Sequence, residues 1–298
     1  MSALSRTLAG RGLAKHNLAG AFVVGIPILW IAFFMLLPYG IIVVTSFWLK
    51  KYPSFIPDFQ FGNYITLFTD PQYVLVILRT LKIAILVSIA SFLLAYPFAY
   101  YLVFRCKSAA LRAWLYMAVI APLWVSYLLR AYIWKTILGT EGVLNSLLIN
   151  VGIIDEPSSI FLYNQFSMVV TLTYIFIPFM VMPIYTALEK IPTNLVEASA
   201  DLGMGPWRSF WHVTLPLSLP GVAAGFTLTF CLSFGDFIAP FLVGGPDGNL
   251  IANVIATQFG AALNWPLGSA LSIVMLVIVL SIVSLSDRME RKGLTGGL

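Results

Sequence analysis

Long apolar runs dominate this sequence and restrict its fold more than any other feature. A helix rises ~1.5 Å per residue, so about 20 apolar residues are needed to cross the hydrocarbon core of a bilayer. Six runs reach or approach that length, at about residues 21–48, 76–104, 113–138, 166–188, 217–243 and 267–285. Transmembrane barrels show a weak alternation over about ten residues, which these runs lack. The sequence therefore predicts an all-α fold, a polytopic membrane helical bundle with six transmembrane spans.

The small number of charged residues excludes a soluble globular protein. Only 10% of the residues are charged and 60% are hydrophobic, whereas ordinary soluble domains carry about 25% charged residues. So few charges cannot cover a water-facing surface. The first apolar run is too long for a signal peptide and is interrupted by Pro27 and Pro38, so we expect it to be retained as a span.

Lysine and arginine are distributed unevenly among the connections, and this sets the predicted orientation. Eleven of them lie in the N-terminal segment, the connections after spans two and four, and the C-terminal tail, whereas the opposite connections contain Lys50 and Lys51 only. Both termini should therefore face the cytoplasm. Lysine and arginine residues beside the spans usually set the orientation of a membrane protein. The net charge of +5 therefore does not indicate a nucleic-acid partner. The predicted organisation is a cytoplasmic segment at 1–19, one transmembrane domain at 20–287 and a cytoplasmic tail at 288–298, with a short interfacial helix at 249–263.

The connection at 189–216 is polar and has the features of two short helices. Thr193 can cap the start of the first helix, and Gly203 can end it in a left-handed turn. A glycine-proline turn then leads into a second segment at 207–212, and Pro216 opens the next span. The orientation above places this connection in the cytoplasm.

One pattern within this connection resembles a known family signature. The EAA signature of bacterial ABC-importer permeases reads E-A-A-x3-G-x9-I-x-L-P, and this chain departs from it by serine at the third position and valine for isoleucine. Glu197, Ala198, Gly203, Leu215 and Pro216 match the signature, and Ser199 and Val213 are the two departures. The resemblance extends over about residues 20–290. It implies the permease half of a type I ABC importer in the bacterial inner membrane.

The resemblance also implies partners. In that family the motif forms coupling helices that dock into a cleft on a cytosolic ATPase dimer. Family members also work, within membrane lipid, with a second, related permease subunit and an extracytoplasmic solute-binding protein. This chain has no G-x-x-x-x-G-K-[ST] sequence to cradle phosphates. We therefore expect a transport subunit that is not an enzyme and holds no cofactor, with ATP and Mg²⁺ bound by the partner ATPase.

A second resemblance narrows the expected solute. The segment FGDFIAPFLVGGP at 234–246, followed by Asn264-Trp265-Pro266, is similar to the subgroup that imports spermidine and putrescine. That subgroup also includes permeases for opines and other amino-acid derivatives. It therefore implies import of a small cationic amine, with an opine, an amino acid or an amino-acid derivative as the alternative.

Arg130 and Asp236 are the ionisable residues clearly inside apolar runs. A charge in the membrane is costly unless it is paired or hydrated, so each is a candidate for function. Both lie 18 residues beyond the cytoplasmic edge of their spans, which places them at similar depth. Two interpretations remain open: an ion pair that holds two spans together, or a solute pathway in which Asp236 meets a cation. Ammonium groups bind aromatic faces, and the candidate aromatic residues of the pathway are Tyr127, Trp134, Phe234 and Phe237.

Two other classes of membrane protein fit the sequence less well than an importer. A membrane enzyme would need clustered catalytic groups, but neither His16 nor His212 lies inside a span, and they are too far apart to suggest a metal site. An ATP-independent channel or carrier would explain charges in the membrane, but leaves the glycine-containing motif at 197–216 without a purpose.

Overall fold

The computed structural model describes the backbone of residues 3–51 and 54–295, and side chains at 23–51, 54–192, 194–246 and 248–288. Within these residues, five helices are long and apolar enough to cross a membrane: Val23–Thr45, Pro71–Arg105, Gln165–Glu189, Pro206–Phe234 and Trp265–Arg288. A sixth crossing is formed only if the bent pair Ala109–Trp124 and Tyr127–Asn150 counts as one span. The predicted all-α membrane bundle is confirmed.

The helices of the first half are α1 (Ala3–Thr45), α2 (Gly62–Thr69), α3 (Pro71–Tyr100), α4 (Ala109–Ile120), α5 (Tyr127–Leu138) and α6 (Val143–Asn150). Two short strands, β1 (Leu49–Lys51) and β2 (Ser54–Ile56), form an antiparallel hairpin between α1 and α2. The second half contains α7 (Gln165–Glu189), α8 (Thr193–Asp201), α9 (Pro206–Ser209), α10 (Leu215–Phe234), α11 (Ile238–Val243), α12 (Ile251–Phe259) and α13 (Trp265–Thr295). The helix α12 agrees with the short helix predicted at 249–263.

The core of the bundle is formed by α3, α7 and α10, which pack on one another more extensively than other helices do. Helices in membranes associate through small residues that let backbones approach closely. Gly221 on α10 shows this directly, because an added Cβ would lie 2.6 Å from the carbonyl oxygen of Pro183 and closer still to the Ala187 side chain. A similar close contact occurs one helical turn later, where an added Cβ on Gly225 would lie 2.9 Å from the sulfur of Met180. Hence α7 and α10 are held backbone to backbone.

Contacts between connections define two ends of the bundle. At one end, the β1–β2 hairpin meets the start of α13: Lys50 donates a 2.7 Å hydrogen bond to the Ala262 carbonyl, and Phe55 packs on Trp265. At the other end, the region around α8 and α9 packs on the end of α3, where Phe210 and Tyr100 lie 5.8 Å apart. We call these the hairpin end and the α8 end. The sequence predicts opposite sides of the membrane for the β1–β2 connection and the α8–α9 connection. In the structure these two connections lie at opposite ends of the bundle.

The third predicted span, at 113–138, was wrong as a single helix. The chain bends by 99° between Ala109–Trp124 and Tyr127–Asn150. A 3-10 turn at Ala121–Trp124 contains Pro122, and Val125 after it adopts extended backbone angles. Because proline has no N–H to donate, the α-helical ladder is interrupted there. The predicted span is thus two short helices, α4 and α5.

The fifth predicted span, at 217–243, was also wrong as a single helix. The helix α10 ends at Phe234, and α11 begins separately at Ile238. Pro240 explains the interruption, since it cannot donate the hydrogen bond that would continue a helix back to the carbonyl of Asp236. Asp236 therefore lies in a short break between two helices.

The close approach of α7 and α10 leads to a prediction. We expect Gly221→Ala to destabilise the protein by about 1–3 kcal/mol, because the methyl group must displace the α7 backbone. The matched control is Gly40→Ala in α1, where nothing lies within 4 Å of an added Cβ. Thermal unfolding of the detergent-solubilised protein measures both, and equal melting temperatures for the two variants would contradict the packing argument.

Candidate functional site

The segment at 189–216 forms two short helices, as predicted. The helix α8 ends where Gly203 adopts a φ of 80°, and the Met204 N–H donates back to the Ser199 carbonyl over 3.0 Å. A residue with a side chain is strained in this left-handed region, so glycine fits the position. One detail of the prediction was wrong: Pro192 occupies the N-cap position and Thr193 is the first helical residue.

Ser199 joins the two short helices. Its hydroxyl lies 2.7 Å from the hydroxyl of Ser209 on α9, and both serines are buried. This is the position where the chain departs from the alanine of the family signature, and the serine contributes a hydrogen bond that alanine could not. The two helices therefore form one connected unit, which we call the α8–α9 hairpin.

The outer surface of the α8–α9 hairpin is exposed and partly apolar. Glu197, Ala198 and Ala200 all face outwards from α8. Leu202 is 80% exposed and Trp207 is 72% exposed. Glu197 lies in the middle of α8 rather than at its start, so it does not cap the helix. Leu202 and Trp207 thus leave apolar surface uncovered on this connection.

The hairpin continues directly into the core. From α9 the chain passes through a π-helical turn, Phe210–Thr214, into α10 without an interruption. Leu215 packs against the core cluster that also contains Phe210, and Pro216 lies at the first turn of α10 as predicted. The hairpin is therefore joined to α10 without a non-helical linker.

A second candidate site lies in the break after α10. The Tyr127 hydroxyl donates a hydrogen bond to Oδ2 of Asp236, and the Ala239 N–H donates to Oδ1 over 2.8 Å. Asp236 is only 8% exposed. Both of its carboxylate oxygens are thus bound within the protein.

Arg130 lies beside this group but does not pair directly with Asp236. Its Nη1 donates to the Ile175 carbonyl over 3.2 Å, and its guanidinium lies 5.7 Å from the centre of the Tyr127 ring. Its Nε is buried without a hydrogen-bond partner. Tyr127 therefore stands between the two charges, and the ion pair weighed from the sequence is replaced by a chain of contacts through the tyrosine.

The backbone partner of Arg130 lies in the proline-containing part of α7. Pro178 lies inside α7, three residues after Ile175. Proline within a membrane helix is tolerated when a neighbouring group satisfies the weakened backbone ladder. Pro178 removes the N–H that would bind the carbonyl of Tyr174. Arg130 on α5 donates to the next carbonyl along, that of Ile175, and so ties the bent third span to the proline-containing part of α7.

The predicted aromatic residues are only partly brought together. Phe234 is fully buried and stacks on Phe230 within the bundle, away from any exposed surface. Phe237 is 43% exposed and stacks on Phe241, while Trp134 packs on Tyr174. Tyr127, Arg130 and Asp236 thus form one group, and the remaining three lie around it or in the core.

Sequence reasoning missed two polar residues near this group, Asn253 and Thr80. Asn253 on α12 donates to the Phe237 carbonyl over 2.9 Å, and Thr80 on α3 accepts from the Ile251 N–H over 2.9 Å. An asparagine in an otherwise apolar short helix was the available signal. Among the side chains that the structure describes, no three His, Cys, Asp or Glu residues are grouped so as to hold a metal ion.

These features are typical of a membrane transport protein. They are the broken spans, the charged residues near the breaks and the exposed helical hairpin that leads into the core. The chain belongs to the family described as binding-protein-dependent transport system inner membrane component, whose match covers residues 88–292. It is a permease subunit of an ABC importer, a transport component rather than a catalytic enzyme.

Relatives and solved structures agree with this assignment. The chain is 38% identical over 238 residues to the inner membrane ABC transporter permease protein YdcU of Escherichia coli, covering 76% of this chain and 74% of the relative. It is 37% identical over 251 residues to the spermidine/putrescine transport system permease protein PotB of E. coli, covering 84% and 90%.

Among solved structures, a bacterial ABC transporter for alginate import has a TM-score of 0.74 at 21% identity, covering 95% of this chain and 98% of that one. The MetNI methionine ABC transporter has a TM-score of 0.55 at 19% identity, covering 76% and 99%. At these identities the likeness shows the fold alone.

The Ser199–Ser209 contact yields the second prediction. Ser199→Ala leaves the buried Ser209 hydroxyl unpaired, at a cost of about 1–3 kcal/mol, and the double variant with Ser209→Ala should recover part of it. Amide hydrogen exchange in α8 and α9 reports the loosening. Ser281→Ala, on the exposed side of α13, is the control. Equal loosening in the single and double variants would argue against a specific link.

Proposed function

We propose that this chain serves an importer of a small cationic amine of the spermidine or putrescine type. The observation that carries the proposal is the similarity to permease proteins named for spermidine and putrescine over 84% of the chain. The chemistry of the break after α10 is compatible, because a carboxylate and an aromatic hydroxyl are groups that an ammonium ion binds. The connections predicted to face outwards also suit a cation, with six acids: Asp58, Asp70, Glu141, Asp155, Glu156 and Asp247.

The α8–α9 hairpin is proposed to face the cytoplasm and to dock into a cleft on an ATPase subunit. Exposed Leu202 and Trp207 would bury apolar surface in that cleft, and Glu197 would meet a basic group. ATP and Mg²⁺ would be held by the ATPase dimer. A second, related permease and an extracytoplasmic solute-binding protein would complete the assembly.

The proposed coupling runs along α10. This helix has 20 residues, so it is about 30 Å long. One of its ends carries the hairpin and the other carries Asp236. Closure of the ATPase dimer would move the hairpin, and α10 would transmit that movement to the break where the solute passes. Because α7 packs backbone to backbone on α10, the two helices would move together.

An amino-acid-like solute is the second candidate, and Arg130 is the observation that favours it. The buried guanidinium contacts a neutral carbonyl and an aromatic ring but no carboxylate. A solute with both an ammonium and a carboxylate group could therefore engage Asp236 and Arg130 together, whereas a polyamine would leave Arg130 to its present contacts.

Reconstitution tests the proposal as a whole. Proteoliposomes that contain this chain, its second permease and its ATPase should take up radiolabelled putrescine when ATP and the binding protein are supplied. Competition by unlabelled opines or amino acids, but not by spermidine, would favour the second candidate. Uptake that proceeds without ATP would instead indicate a channel or carrier.

Gly203 provides the third prediction. Gly203→Val forces a β-branched side chain into the left-handed conformation, at a cost of about 1–2 kcal/mol, and should distort the hairpin. We expect ATP hydrolysis to persist while uptake is lost, measured together in proteoliposomes. Gly205→Ala is the matched control, since Gly205 has a φ of −68° and open space around it. Undiminished uptake by Gly203→Val would count against docking through the hairpin.

Asp236 provides the fourth prediction. Asp236→Asn keeps the size of the side chain but removes its negative charge, so the half-saturating putrescine concentration should rise while the complex still assembles. Asp58→Asn, in an exposed connection, is the control. Loss of assembly with no change in the half-saturating concentration of the surviving protein would assign Asp236 a structural role.

A further inference from the structure

The break between α10 and α11 is held by groups from two sides. Tyr127 and the Ala239 N–H bind the Asp236 carboxylate itself. The next peptide unit is held from the other side, where Asn253 Nδ2 donates a 2.9 Å hydrogen bond to the Phe237 carbonyl. Since Phe237 directly follows Asp236, this hydrogen bond restrains the backbone from which the carboxylate projects.

The amide of Asn253 is used on both of its sides. While Nδ2 donates to Phe237, Oδ1 accepts from the Leu250 N–H over 3.3 Å at the start of α12. The residue is only 6% exposed, and its neighbours in the helix, Ile251, Ala252, Val254 and Ile255, are apolar. A buried amide is costly to leave unpaired. The side chain at position 253 must therefore both donate to the Phe237 carbonyl and accept from the Leu250 N–H.

The helix that carries Asn253 is itself fixed to the core. The Ile251 N–H donates to Thr80 Oγ1 over 2.9 Å, and that hydroxyl donates to the Val76 carbonyl over 2.7 Å. Thr80 is fully buried in α3. A chain of hydrogen bonds thus runs from α3 through α12 to the peptide beside Asp236, and the other side of Asp236 is connected through Tyr127 to α5.

We propose that Asn253 is a positioning residue that sets the direction of the Asp236 carboxylate towards the solute. The inference rests on the proposed function, in which Asp236 meets the solute, and assigns Asn253 no contact with it. In the absence of the amide, the peptide between Phe237 and Ile238 loses its restraint from α12, and the carboxylate is then oriented by Tyr127 and by the backbone N–H groups of its own turn.

A double-mutant cycle tests whether Asn253 acts through Asp236. In cells that carry the assembled transporter, Asn253→Ala should raise the half-saturating putrescine concentration about fivefold, the loss expected for one hydrogen bond, with a smaller change in maximal rate. In an Asp236→Asn background the same substitution should have no further effect. Multiplying effects in the double variant would overturn the inference.

Two comparisons separate positioning from general damage. Asn249→Ala, four residues earlier and exposed, should behave like the unmodified protein, and Asn253→Gln, which keeps both hydrogen-bonding groups, should restore part of the affinity. An equal loss in Asn249→Ala, or no recovery in Asn253→Gln, would contradict the proposal.

A labelling experiment keeps the inference separate from the proposed function. With Cys106 and Cys231 replaced by alanine, Phe237→Cys should react with N-ethylmaleimide several-fold faster when Asn253 is alanine, because the break is then less restrained. An unchanged labelling rate would overturn the positioning role. Faster labelling combined with normal putrescine uptake by Asp236→Asn would keep the positioning role and reject Asp236 as the solute-binding group.

Discussion

The need to satisfy backbone polar groups away from water governs this structure. A continuous helix meets that need by itself, but a broken one does not, and neighbouring side chains must then supply the missing partners. The chain has breaks near Pro122 and at Gly235–Phe237 and a proline-weakened stretch of α7. Arg130, Asp236 and Asn253 each bind backbone groups at these places. These three residues are therefore placed where the helices are irregular.

This distribution joins mechanical and chemical parts of the bundle. A tightly packed pair, α7 and α10, leads from the exposed α8–α9 hairpin to the breaks around Asp236. The pair is closely packed, because glycine and alanine leave no space between the backbones. The geometry of the break at Gly235–Phe237 depends instead on a few hydrogen bonds from α5 and α12. Under the proposed coupling, the packed pair would transmit force and the break would change shape.

Hydropathy predicted the spans at 76–104, 166–188 and 267–285 well, because an uninterrupted apolar run has one stable form in a bilayer. It failed at 113–138 and 217–243, since breaks at Pro122 and before Pro240 leave the composition unchanged while altering the backbone. The hairpin followed from glycine and proline chemistry and from a motif. The hydrogen bonds around Asp236 could not be predicted from the sequence. Arg130, for example, binds the backbone carbonyl of Ile175, and every residue has a backbone carbonyl, so no residue type marks the partner. Asn253 lies 16 residues from its partner, a distance that local pattern does not cover.

The occupied carboxylate of Asp236 has a consequence for turnover. An ammonium group that enters would meet a carboxylate that already accepts hydrogen bonds from Tyr127 and the Ala239 N–H, so it would gain less free energy than from a carboxylate without partners. A carrier site benefits from such moderate affinity, since a solute held too firmly would not be released on the far side. Without a solute, Asp236 keeps its hydrogen bonds to Tyr127 and Ala239, so the buried carboxylate is not left without partners. Under the proposed function, the site would therefore be filled and emptied at similar cost, and the ATPase would set the direction of movement.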